Sequence, residues 1–215
     1  MSPNKKTITS LKHNYHYFDE TYDVQGRFSA YWHQINEVIS LQPAKVLEVG
    51  VGTGLVANYL KVRGIDITTI DVLHGLKPNI TASVLAIPFS AQTFDIITCY
   101  EVLEHLPYSD FPKALQELGR VARKHVILSL PDVTTVYRLL IELPKMRPIK
   151  RLIPHPFPRS TVHKYDGEHH WEIGKTGYAL HKIKLDITRS RFKILKTYRV
   201  FEFCYNRFFL LEKLP

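Results

Sequence analysis

An acid at the end of an apolar run, followed by glycines at every second position, has the most chemical content in this chain: Val46-Leu47-Glu48-Val49-Gly50-Val51-Gly52-Thr53-Gly54. Glycines so spaced let the backbone take positive φ and leave no Cβ to keep a ligand off the main chain. The dinucleotide pattern G-x-G-x-x-G is a poor fit, because Leu55 stands where the third glycine would be, and no Gly-Lys-Ser/Thr follows to make a phosphate loop. Glu48 would repel a phosphate and attract a cationic or amino-bearing group. A second acid, Asp71, lies about twenty residues past this turn, a spacing suited to a bidentate acceptor for two ribose hydroxyls; the alternative is a cap for the next turn. Glu101 and His105 follow in Glu101-Val102-Leu103-Glu104-His105-Leu106, where His105 is either a base or hydrogen-bonded scaffold. The densest polar stretch runs from His163 to Gly174, HKYDGEHHWEIG, with His163, Tyr165, Asp166, Glu168, His169, His170 and Glu172. His169 or His170 is the candidate general base or acceptor-orienting donor; otherwise the segment is a lid anchored by Trp171. Adjacent histidines rarely share one ion and no second spacing reinforces 163, 169 and 170, so no metal is assigned.

These residues need a frame that brings their chain positions together. Apolar runs at 46–49, 65–72, 94–100 and 126–130 read as buried parallel strands, with a shorter strand and a turn at Pro88 within 81–89. Helices are predicted at 55–63, ended by Gly64, and after Ser109 or Asp110 as cap, with Phe111, Leu115, Leu118 and Ala122 on the apolar side. A further helix at 176–189 precedes two alternating segments, 193–203 and 206–212, which close a hairpin turning at 204–206. Near the start, Phe28, Tyr31, Trp32, Ile35, Val38 and Ile39 recur at helical spacing and should pack on the sheet. Before them Tyr15, Tyr17, Phe18 and Tyr22, with Asp19 and Arg27, are either packing residues or a flap over the site. Strands alternating with helices imply an α/β, doubly wound sheet, whose ligands bind beyond the carboxyl ends of its strands.

The run E-x-G-x-G-x-G after the first strand, Asp71 after the second, and FD…EVLEHL after Phe94 together resemble class I S-adenosylmethionine-dependent methyltransferases. The resemblance covers about residues 45 to 132 by motif and the remainder by order of elements. It implies a Rossmann-like, mostly parallel seven-stranded sheet with an antiparallel last strand, and S-adenosyl-L-methionine as cofactor. Residues implied to hold the cofactor are Glu48, Gly50, Val51, Gly52, Gly54, Asp71, Val72, Ser83, Val84, Leu85 and Tyr100. Relatives commonly carry an aspartate at the position of Ser83; here a hydroxyl or the backbone at Val84 and Leu85 must meet the adenine. Glu101, His105, His169 and His170 are the candidate catalytic residues. The chain is then a methyltransferase acting on a small-molecule or lipid-linked acceptor. The alternatives are an RNA or other nucleic-acid methyltransferase, or a non-catalytic protein that binds the cofactor.

The remaining features bound the setting. A length of 215 residues suits a single domain spanning 1–215, with an N-terminal flap and helix at 1–41. Residues 133–175 break the pattern: a short apolar helix (Val136, Tyr137, Leu139, Leu140, Leu143), then Pro144, Pro148, Pro154, Pro156 and Pro158 among Lys145, Arg147, Lys150, Arg151 and Arg159. Proline and charge together make this an exposed insertion or lid, and 144–159 a candidate for peripheral membrane contact. Residues 1–110 carry 8 Lys and Arg against 11 acids, whereas 111–215 carry 21 against 9, so the net +9 resides in the second half. That asymmetry suits an anionic partner or a basic solvated face. Salt-sensitive nucleic-acid binding would fit it too, but Cys99-Tyr100-Glu101 stands where an Asn/Asp-Pro-Pro-Tyr/Phe motif would follow the fourth strand. Two cysteines, Cys99 and Cys204, and no apolar stretch of signal or membrane-spanning length point to a reduced, cytoplasmic setting.

Overall fold

The computed structural model describes Tyr17 and residues 22–157, 160–165 and 167–215. Seven strands form one sheet in the order β3-β2-β1-β4-β5-β9-β8. They are β1 (Lys45–Val49), β2 (Asp66–Asp71), β3 (Ile80–Thr81), β4 (Phe94–Tyr100), β5 (Ala122–Pro131), β8 (Phe192–Arg199) and β9 (Asn206–Lys213). β1 to β5 run parallel, and β9 is antiparallel to both of its neighbours, as expected of the last strand. Successive side chains of a strand point to opposite faces, and both faces are covered. Leu47, Ile97 and Leu128 therefore pack with α3 (Phe111–Val121) and α4 (Leu180–Arg189), while Val46, Ile96 and Ile127 pack with α1 (Gln25–Ser40) and α2 (Leu55–Val62). Burial on two sides is why these strands read as unbroken apolar runs. After β3 the chain returns to lay β4 on the other side of β1, which opens a crevice at the carboxyl ends of those two strands.

Several local expectations need correction. Only Ile80–Thr81 pairs as a strand; 83–89 is a turn, in which the Leu85 amide donates to Ser83 Oγ and the amide-less Pro88 cannot extend a ladder. α1 is rotated from the predicted face: Tyr31, Ile35, Val38 and Ile39 pack inward, but Phe28 and Trp32 are exposed while Gln34 and Glu37 are buried. Polar partners on the neighbouring elements account for this, since Lys196 Nζ and Tyr198 OH both donate to Glu37 and Tyr100 OH donates to the Gln34 carbonyl. Neither Ser109 nor Asp110 caps α3 with its side chain; the helix opens with a proline in its first turn instead. Tyr178 precedes the last helix, which starts at Leu180.

The largest correction is at 136–143. The apolar helix expected there is a strand, β6 (Val136–Ile141), paired antiparallel with β7 (Ile149–Pro154) in a separate two-stranded sheet. Val136, Tyr137 and Ile141 favour extended backbone, and Pro144 and Pro148 confine the turn between the strands. Of the N-terminal cluster, Tyr15, Phe18 and Asp19 lie outside the described residues, as do Pro158, Arg159 and Asp166 of the insertion.

Candidate active site

A cavity of about 560 Å³ occupies the crevice. Its floor is the turn after β1, where Gly50 has φ +84 and a Cβ there would stand 2.3 Å from Val102 Cγ2, so any side chain would be strained and would displace Val102. Gly52 follows with φ +50, and the nearest atom a Cβ there would meet is on Tyr17, 3.9 Å away. The turn is pinned by Asp71 at the end of β2: its Oδ2 accepts from the Val51 amide at 2.9 Å and its Oδ1 from the Leu73 amide at 2.8 Å. Burial raises the Asp71 carboxyl above its usual range, against backbone hydrogen bonding from Leu73, Val51, Val72 and Gly52.

Glu48 is only 3 % exposed, and its Oε2 is buried without a hydrogen-bond partner among the described residues. Burial pushes its carboxyl up to about 8, opposed by Lys61 and reinforced by Asp71. A buried, orphaned carboxylate on a cavity wall is a site for a positively charged group.

The other end of the cavity is built from three distant pieces. At the end of β4, Glu101 takes φ +51, a strained conformation for a side chain other than glycine, while its amide donates to the Ser129 carbonyl. Burial raises Glu101, against hydrogen bonding from Asn206 and Ser129. His105 follows on a short 3-10 turn, and its Nδ1 donates to the Glu168 carbonyl at 3.0 Å. His169 comes from the polar stretch and lies edge-on to His105, with ring centroids 4.9 Å apart. Its Nδ1 is 3.1 Å from Glu172 Oε1, to which Tyr205 OH also donates at 2.6 Å. Hydrogen bonding from His169 holds the Glu172 carboxyl below its usual range, so Glu172 is an ionised acceptor. Nδ1 therefore carries a proton toward Glu172.

Of the residues expected at the site, Glu48, Gly50, Val51, Gly52, Asp71, Val72, Ser83, Val84, Tyr100, Glu101, His105 and His169 all line this cavity. Gly54, Leu85 and His170 do not. Gly54, at φ +74, starts α2; Leu85 points its amide at Ser83; and the His170 ring stacks on Tyr165 at 4.6 Å while its amide donates to the Glu104 carbonyl. Sequence reasoning missed Phe203, Tyr205 and Asn206, which reach the cavity from the turn between β8 and β9 and from the first residue of β9, more than ninety residues from β4. It also missed Glu104, which is fully buried with neither carboxylate oxygen partnered among the described residues. An acid inside the apolar Val102-Leu103-Glu104 was the available signal. Burial and the nearby Glu101 raise it well above the ordinary carboxylate range. One ligand atom each from Glu104, His105 and His169 lie within 4.8 Å of one another.

Comparison with known proteins agrees with this architecture. The family model described as "Methyltransferase domain" matches residues 23–173. Proteins named ubiquinone biosynthesis O-methyltransferase are similar over a shorter stretch: that of Bordetella avium is 36 % identical over 83 residues, 32 % of this chain and 34 % of that protein. That of Pseudomonas putida is 39 % identical over 89 residues, 34 % and 38 % of the two chains. The match thus spans about a third of the length of these relatives. Among solved structures, magnesium protoporphyrin IX methyltransferase from Synechocystis with bound S-adenosylmethionine superposes with a TM-score of 0.62 at 16 % identity, covering 99 % of this chain and 98 % of the other. The 1,6-didemethyltoxoflavin-N1-methyltransferase of Burkholderia thailandensis, with its acceptor and S-adenosylhomocysteine bound, gives 0.62 at 13 % identity over 100 % and 92 %.

Proposed function

The chain belongs to the methyltransferase-domain family; from that premise we propose that it is an S-adenosylmethionine-dependent methyltransferase and that it methylates a hydroxyl group of a small-molecule or lipid-linked acceptor. The residues present suit the cofactor, on three observations: the Cβ-free floor at Gly50 and Gly52, the buried Glu48 carboxyl with Oε2 unpartnered among the described residues, and Asp71 fixed at the turn by backbone amides. In this reading Glu48 faces the amino group, Asp71 the ribose, and Ser83 and Val84 the adenine end. Bound there, S-adenosylmethionine supplies an activated methyl group on a sulfonium that carries its own leaving group.

The chain's residues then have three tasks. The turn 50–52 and the strand ends of β1 and β4 hold donor and acceptor in line, the positioning that supplies most of the rate in such a displacement. Tyr17, Tyr22, Phe203 and Tyr205 wall the cavity and exclude water. His169 takes the acceptor proton, and Glu172 stabilises the resulting imidazolium through Nδ1. The observation that carries the hydroxyl reading is this His169–Glu172 pair on the cavity that also holds Glu48 and Asp71, since an acceptor with no proton to lose would need no base.

The test is single-turnover transfer from labelled cofactor to fractionated small-molecule, lipid and RNA pools. Label is expected in small-molecule or lipid fractions; label in RNA alone would overturn the assignment. His169→Ala should lower the methyl-transfer rate by about 10²–10⁴ with the cofactor Kd unchanged, whereas His170→Ala should stay within a few-fold. Equal losses from the two variants would remove His169 as base.

A second reading is favoured by the orphaned Glu104. A divalent cation held by Glu104, His105 and His169 would offset the buried charge and orient an acceptor oxygen directly. Transfer that survives extensive chelation sinks this variant; loss restored by one cation supports it over the base mechanism.

A further inference from the structure

The β6–β7 hairpin takes no part in the cavity, yet it carries the most unusual surface of the molecule. Its register places Tyr137 opposite Ile153, Leu139 opposite Arg151 and Ile141 opposite Ile149, and directly opposed residues share one face. That face is therefore five large apolar side chains and one arginine. With Leu143 and Met146 at the tip, these apolar residues are each 40 % to 61 % exposed. The other face carries the ties to the body and is itself partly open, with Leu140 exposed: Arg138 donates to the Glu202 carbonyl, and Lys150 pairs with Glu202 and lies over the Phe201 ring. An apolar face of this extent, left uncovered, marks an interaction surface.

We propose that this hairpin docks the enzyme on an anionic lipid bilayer. Charge selects the partner. Residues 136–154 hold five basic side chains (Arg138, Lys145, Arg147, Lys150 and Arg151) against the single acid Glu142, a net of +4. A second copy would set +4 against +4, whereas an anionic surface attracts the basic residues while its acyl region accepts the apolar ones. Docking also has a consequence for the site. Glu202, which ties the hairpin down, is next to Phe203 in the turn that supplies Phe203 and Tyr205 to the cavity. The bilayer contact is thus mechanically joined to the acceptor end, which suits the lipid-linked branch of the proposed function; the docking itself does not depend on that branch.

The test is co-sedimentation of the full chain with phosphatidylcholine vesicles, with and without phosphatidylglycerol, needing no methyl acceptor. Binding is expected to vesicles containing phosphatidylglycerol, at least about tenfold tighter than to phosphatidylcholine alone, and weaker at high salt. The pair Leu139→Ser with Ile153→Ser and the pair Lys145→Glu with Arg147→Glu should each lower it by about tenfold or more. Both pairs lie away from the core, so unchanged cofactor binding will show that the variants fold. No vesicle binding, equal binding to neutral vesicles, or binding indifferent to the apolar pair would overturn the proposal. So would a dimer in sedimentation velocity that the apolar pair dissociates, because the face would then belong to a second copy. Failure here leaves the acceptor assignment standing, and label found only in water-soluble products would leave vesicle binding standing.

Discussion

Replacing Glu48 by Gln should make the cofactor-free protein more stable at alkaline pH while weakening its hold on the cofactor. The carboxyl titrates near 4.5 when exposed and is pushed up to about 8 by burial in the folded chain. Between those values the folded state holds a proton that the unfolded state has lost, so stability is complete below about pH 4.5 and declines as pH rises through 8. Each pH unit across that window costs about 1.4 kcal/mol, or about 5 kcal/mol in all. Typical domains have about 5–15 kcal/mol of net stability, so the loss is a large share of the whole. Gln fills the same space and does not titrate. Glu101 and Glu104 are shifted in the same direction and remain in both proteins, so the difference between them isolates Glu48.

Urea unfolding at a series of pH values, with midpoint and slope fitted at each, gives that difference directly. The two proteins should diverge by about 1.4 kcal/mol per pH unit between pH 5 and 8, with the variant the more stable. Adding S-adenosylmethionine should reverse the order, because its positive charges stabilise the ionised Glu48. Wild-type binding should release about one proton near pH 7, read by calorimetry in buffers of different ionisation enthalpy, and E48Q should release none from this position. Stability curves that superpose across the whole range would show that Glu48 is not a buried titrating acid, and the charge-matching argument for the cavity would go with them.

Asp71→Ala should weaken cofactor binding by about 1–3 kcal/mol, measured by calorimetry, and an unchanged Kd would remove Asp71 from the site; because the Val51 and Leu73 amides also lose their acceptor, some loss of stability should accompany it. Gly50→Ala, which must place a Cβ 2.3 Å from Val102 at positive φ, should cost more than about 2 kcal/mol in urea unfolding. Asp132 is 1 % exposed, accepts from Arg207 Nε at 2.6 Å and lies 3.7 Å from Arg199 Nη1. Asp132→Ala should cost about 3–5 kcal/mol by leaving two largely buried cations unopposed, a loss visible in thermal unfolding.

The central strands of the sheet were readable because they are buried on both faces and end in polar residues. A run such as Phe94 to Tyr100 states its own limits, and the acids at 48, 71 and 101 then fall at carboxyl ends that the topology brings together. The proposed cofactor side of the site is local in this sense, since each residue lies at or just beyond a strand end. The acceptor side is not. Phe203 and Tyr205, with Asn206 at the strand start that follows, come from a turn whose position was legible but whose neighbour, the end of β4, depended on β9 inserting between β5 and β8. His169 and His170 are adjacent, so composition and spacing treat them alike; the hydrogen bonds of His169 to Glu172 and the stacking of His170 on Tyr165 are what separate them.

The segment from 136 to 143 illustrates the same physics in secondary structure. Val136, Leu139, Leu140 and Leu143 satisfy helical spacing, and no residue within the segment excludes it. The deciding partner, Ile149–Pro154, lies beyond two prolines and pairs with it through cross-strand contacts that a window of one segment cannot contain. That substitution of strand for helix changes what the insertion can do. A helix with those apolar positions would have laid one stripe on the body of the protein. A hairpin instead spends Arg138 and Lys150 on Glu202 and turns Tyr137, Leu139, Ile141, Ile149 and Ile153 outward together. Basic residues that in sequence look merely solvating thus become, in the fold, the anchor and fringe of an apolar face joined by one turn to the acceptor end of the cavity.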